Sequence, residues 1–158
     1  MSVAINCIIG LFCWGAPVAD APVPPVRPKH HHAARHATGV DPERASAGDS
    51  LAQGFGWASG FTVFATRSVS SCYIADHMPT GHFKLLLLSG GTNDVPGPCI
   101  ERMRSRANAD VVEWVVPVNG ARSHVLAVAA AHGDKLLFYT PSRRKGVWPH
   151  PDSYRSVS

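Results

Sequence analysis

A chain of 158 residues has room for one domain, and its 45% hydrophobic content is that of an ordinary globular protein. The formal net charge of +4 comes from scattered residues, apart from RPKHHHAARH (27–36) and RRK (143–145). Aromatic residues do not interleave with these basic runs, so nothing in the pattern argues for a nucleic-acid partner.

The apolar stretch 3–14 is too short to span a bilayer but suits the core of an export signal, and ADA (19–21) offers small residues for cleavage. Residues 1–21 therefore read as a signal peptide. The mature chain is expected in a periplasmic or extracellular setting, with no stable membrane insertion after processing. No Lys or Arg precedes the run, and without cleavage the chain would be cytoplasmic. Residues 22–44 follow as a Pro/His-rich linker, PVPPVRPK leading into HHH (30–32) and His36; the composition is that of an extended, solvated segment. No metal or other cofactor is expected.

From residue 45 to 158 short apolar runs alternate with turn residues. DPERASAG, just ahead of Asp49, lacks the apolar run of a central strand, so the first strand is expected to be very short or irregular. GFTVFATRS (60–68) reads as a strand and SCYIADHM (71–78) as a short helix. FKLLLLSGG (83–91) is a strand buried on both faces. PCIERMRSRAN (98–108) is a helix with Pro early and Ile100 and Met103 on one face. VVEWVVPVN (111–119) is a strand, ARSHVLAVAAAHG (121–133) a helix closed by Gly133, and KLLFYTP (135–141) a final strand. A short terminal helix is expected beyond His150. Such alternation implies an α/β fold, a three-layer α/β/α sandwich with a mostly parallel, flavodoxin-like sheet. Cys72 and Cys99 could pair in an oxidising compartment; two free, partly buried thiols fit the sequence equally well.

In such sheets, sites form beyond the carboxyl ends of the strands. That rule selects the loop at Ser50, the loop SGGTND (89–94) and the segment after Tyr139. Ser50 follows Gly48-Asp49 and reads either as a nucleophile or as part of a helix cap. Asn93 can donate from its amide to an oxyanion, or can cap the next helix together with Asp94. His150, between two prolines, is placed to act as a general base or to sit solvated in the tail.

Together these segments resemble the SGNH or GDSL family of serine esterases and lipases. GDSLA (48–52) is similar to its nucleophile block, GGTND (90–94) to its Gly-x-Asn-Asp block, and HPDSY (150–154) to its C-terminal His-Pro block, in the family's order. The resemblance implies Ser50 as nucleophile and oxyanion donor, Asn93 as a second donor, and His150 as the base. Asp49, Gly91 and Asp94 would support the loops. The glycine that would donate a third oxyanion N–H is absent; Ser68 is nearest by position, with Ser70 an alternative. The family's acid, three residues before the histidine, is replaced by Val147, and Asp152 lies on the other side of His150. The resemblance therefore implies a Ser-His dyad or an impaired triad. The substrate would be a small or carbohydrate acyl ester, short and acetyl-like because nothing in the chain offers a lid. A non-catalytic binding module and an acyltransferase remain the alternatives, and the oligomeric state stays open.

Overall fold

The structure, a computed structural model, describes residues 41–158. The expected export signal, the histidine run and the linker up to residue 40 lie outside the described residues. Five strands alternate with four helices: β1 (Asp41–Gly48), α1 (Ser50–Ser59), β2 (Phe61–Ala65), α2 (Ser71–Asp76), β3 (Phe83–Ser89), α3 (Ile100–Ser105), β4 (Ala109–Val115), α4 (Arg122–His132) and β5 (Lys135–Leu137). All strand pairs are parallel, in the order β2-β1-β3-β4-β5, so this is an α/β fold. The chain's direction of travel across the sheet reverses between β1 and β3, the place where such folds leave a crevice.

The sheet divides the core by strand alternation. Leu86, Leu88, Val112 and Trp114 pack with Ile74 of α2, Ile100 and Met103 of α3, and Val125, Val128 and Ala129 of α4. Leu87 and Val115 instead join Leu51 and Phe55 of α1 and Val157 of the C-terminal segment. Each fully buried leucine contributes about 1.5–3 kcal/mol relative to exposure. The α4 helix ends at Gly133, which adopts the left-handed conformation as expected.

Of the two expectations for the first strand, very short or irregular, the first is corrected and the second holds. β1 is eight residues long, takes in residues 41–44, and carries one register irregularity between Asp41 and Ala45. Its small residues are the price of close packing. A Cβ on Gly56 of α1 would lie 2.0 Å from Ser46 Oγ, and one on Gly48 (φ +145°) would lie 2.1 Å from the Ser89 carbonyl oxygen. Small side chains let α1 and β3 approach β1, and they also remove the apolar signature of a buried strand. The other elements lie where expected but are shorter. β2 ends at Ala65, β3 at Ser89 and β5 at Leu137, because the chain then leaves the sheet edge to build loops.

No terminal helix forms after His150, a second correction. Pro149 and Pro151 deny backbone donors there, and the segment bonds to other parts of the chain instead. Ser142 N donates to the His150 carbonyl at 2.7 Å, and Val157 N donates to Ser59 Oγ at 2.8 Å. The segment beyond β5 is thereby drawn across α1. Among the described residues, no helix is long and apolar enough to cross a membrane.

Candidate active site

Ser50 is the first residue of α1, directly beyond the carboxyl end of β1. Asp49 caps the helix: its Oδ1 accepts from Leu51 N at 3.0 Å and from Ser89 Oγ at 2.7 Å. The cap is completely buried and ties the β1–α1 turn to the end of β3. The Ser50 N–H, at the first turn of a ten-residue helix, finds no acceptor among the described residues.

Across a sequence gap of 100 residues, Ser50 Oγ lies 3.2 Å from His150 Nε2. The hydroxyl can donate to Nε2 only when the imidazole carries its proton on Nδ1. That proton faces the hydroxyl of Tyr154, with which Nδ1 is in direct hydrogen-bond contact. Val147, where the resemblance would place an acid, lines the same cleft, and its carbonyl accepts from His150 N at 2.9 Å to close a tight turn. Asp152 is occupied elsewhere, accepting from Ser142 Oγ at 2.6 Å. The imidazole is therefore oriented by a phenol rather than by a carboxylate.

Tyr154 is held by α1. Its ring meets Phe55 edge-on at 4.9 Å between centroids. It also fills the space beside Gly54, where a Cβ would come within 2.2 Å of the ring. Burial, and then the negative charge of Asp49, push its pKa up to about 12. The phenol thus stays neutral throughout the range in which histidine titrates. Burial lowers the His150 pKa; the Asp49 charge opposes this, and Arg67 reinforces it. The imidazole is accordingly biased toward the neutral, proton-accepting form.

These groups open into a cleft of about 470 Å³. Its floor is one stripe of α1, Ser50, Gln53, Gly54 and Trp57, spaced as successive turns of a helix. Arg67 and Ser68, which follow β2, and Gly146, Val147 and Pro151, which follow β5, complete its lining. Ser68 has φ +57°, the one non-glycine residue with positive φ among those described. Its N–H also lacks an acceptor among the described residues.

Ser50, Ser68 and His150 share the cleft; Asn93 does not line it. The Asn93 amide donates to the Val69 carbonyl at 3.0 Å, one residue beyond Ser68. Neither Asn93 nor Asp94 caps α3, whose N-cap is Cys99. Asp94 Oδ2 instead accepts from Ser71 N at 2.9 Å and Ser71 Oγ at 2.6 Å. Ser70 accepts from Tyr73 N as the cap of α2. Gly91, with φ +83°, turns the β3–α3 loop where a Cβ would meet Ala121 at 2.6 Å. Cys72 and Cys99 form a disulfide, closing the choice the sequence left open. Bridge and hydrogen bonds together join the loop carrying Ser68 to the loop carrying Asn93.

Among the described residues, no group of three or more His, Cys, Asp or Glu side chains gathers to hold a metal ion. Two contributors were not read from the sequence. Tyr154 stood in a quoted block but had no assigned role, and Gly54 gave no sign that it makes room for a distant ring. No protein-family model, curated protein or solved structure matches this chain.

Proposed function

We propose that the protein is a serine ester hydrolase of the SGNH or GDSL type that removes short acyl groups from alcohols through an acyl-enzyme. The observation that carries this reading is the 3.2 Å approach of Ser50 Oγ to His150 Nε2 beyond the carboxyl ends of the strands. The strand order 2-1-3-4-5, with helices packed on both faces, is that of a three-layer flavodoxin-like sandwich and supports the type. The positive φ of Ser68 supports its placement where the family carries glycine.

In this mechanism His150 Nε2 takes the Ser50 proton as Oγ bonds to the ester carbonyl carbon. The carbonyl π electrons move to oxygen, and the Ser50 and Ser68 N–H groups donate to that oxyanion. The α1 N-terminus adds its dipole. Collapse of the adduct breaks the C–O bond to the leaving alcohol, which receives the proton from His150. Water, deprotonated by the same nitrogen, then attacks the acyl carbon; the C–Oγ bond breaks, His150 returns the proton to Ser50 Oγ, and the acid departs. Tyr154 accepts the Nδ1 hydrogen throughout and holds the ring in the productive tautomer. Asn93 fixes the Val69 carbonyl and hence the Ser68 loop, so it acts on the oxyanion through that loop rather than by direct donation.

A fluorophosphonate probe tests the reading directly. Intact-mass and peptide analysis should place the adduct on Ser50, and labelling should vanish in Ser50→Ala and His150→Ala. A folded wild-type protein that takes up no probe would overturn the proposal and leave a non-catalytic binding module. Acetyl esters of nitrophenol should turn over faster than octanoyl esters, since polar Ser50, Gln53, Arg67 and Ser68 take up much of the cleft lining.

A further inference from the structure

The cleft extends well past the reacting atoms, and its far part has a chemistry of its own. Along α1, Gln53 and Gly54 lie one turn beyond Ser50, and Trp57 lies two turns beyond it. The span from Ser50 to Trp57 is about 10 Å along the helix axis, long enough for more than one sugar ring. Trp57 is 53% exposed, although a tryptophan surface of that size is normally covered. It therefore offers an aromatic face at the end of the floor. In the same cleft, the Arg67 Nε donates to Gln53 Oε1 at 2.7 Å, and Gln53 Nε2 reaches the Ala65 carbonyl at 3.5 Å. The guanidinium is thus held through Nε, and its two terminal nitrogens remain for a ligand.

No carboxylate meets that cation: no Asp or Glu lines the cleft, and Arg67 forms no ion pair among the described residues. The segment that follows β5 adds charge of the same sign. Arg143, Arg144 and Lys145 are exposed in the loop that leads directly to Gly146 and Val147 of the cleft. A planar, oriented guanidinium sharing a cleft with an aromatic face suits a carboxylate carried on a ring.

The geometry points to an anionic carbohydrate as the ligand of this cleft, a uronate-bearing oligosaccharide. One ring stacks on Trp57, its neighbour's carboxylate meets Arg67, and the acyl ester is presented to Ser50. The acyl group in this inference rests on the esterase reading; recognition of the glycan does not.

The test is calorimetric titration of the intact chain with an oligogalacturonate and with a cello-oligosaccharide of equal length. The anionic ligand should bind roughly ten- to a hundredfold tighter, the effect of one charge-assisted hydrogen-bonded pair. Arg67→Gln should remove most of that preference, whereas Arg122→Gln, which deletes the same charge on α4, should keep it. Trp57→Ala should weaken both ligands. Equal affinity for the two ligands would overturn the inference outright, and equal losses in the two arginine variants would overturn it in favour of diffuse attraction to a basic protein. Turnover of acetylated oligogalacturonate, read in parallel, separates the two readings. Binding without turnover or Ser50 labelling sinks the esterase and leaves recognition standing. Turnover without anionic preference does the reverse.

Discussion

Replacing Tyr154 with phenylalanine isolates the substitution of phenol for carboxylate at His150. The variant keeps the ring that packs on Phe55 and beside Gly54, and it deletes only the oxygen in contact with Nδ1. During acyl transfer the imidazole becomes imidazolium, so the lost contact is a hydrogen bond from a charged donor, worth about 1.5–3 kcal/mol. At about 1.4 kcal/mol per decade, kcat should fall roughly 10- to 150-fold. That is well short of the ~10⁴ lost when a triad protease has its carboxylate replaced. An acceptor at Nδ1 stabilises the protonated ring, so its removal should lower the His150 pKa further. The acid limb of the pH–rate profile should therefore move to lower pH as kcat drops. Steady-state kinetics on a nitrophenyl acetate across pH 4–8, with circular dichroism to confirm folding, measure both effects. A variant as active as the wild type, with an unshifted acid limb, would refute the positioning role.

The remaining predictions concern the same neighbourhood. Gly54→Ala should cost as much activity as Tyr154→Phe or more and should also lower the melting temperature, since the added methyl would lie 2.2 Å from the Tyr154 ring and push it off both Nδ1 and Phe55; thermal melting beside kinetics checks this. In the wild type the acid limb should have its midpoint below 6.5, because burial makes His150 harder to protonate and only the neutral ring accepts the serine proton. Ser68→Gly should raise stability by about 0.5–1 kcal/mol by relieving a left-handed serine, as read from urea unfolding. Replacing both Cys72 and Cys99 with serine opens a 27-residue loop and should cost about 3–4 kcal/mol in the chain-entropy account, visible as a fall of the melting temperature by roughly 10 °C or more.

How far the sequence reveals this architecture depends on whether a residue's job is local. The β3 run FKLLLLS announces a strand buried on both faces, and Gly133 announces a helix end, because burial and backbone handedness leave marks at the position itself. β1 leaves no such mark: its Ala45-Ser46-Ala47-Gly48 is chosen by what packs on it, so a central strand looks like a loop. Likewise, Gly-Asp-Ser at a strand end points to Ser50. Tyr154 is silent, because it depends on room made by Gly54 in a helix 100 residues earlier. Asn93 shows the converse. Its motif is legible, yet the structure spends one of its amide hydrogens on Val69.

The tie between Val157 and Ser59 also bears on the order in which the molecule matures. The parallel sheet assembles through crossovers of about 20 to 40 residues, the longest joining β1 to β3. The partners of Ser50 arrive only through contacts separated by about a hundred residues, the slowest kind to form. A folded core with an undocked tail would therefore hold an ordinary, unreactive serine. Hydrogen exchange should find the amides of 142–157 opening at lower free energy than those of β3 and β4, and that opening, rather than global unfolding, would set how long the serine remains nucleophilic.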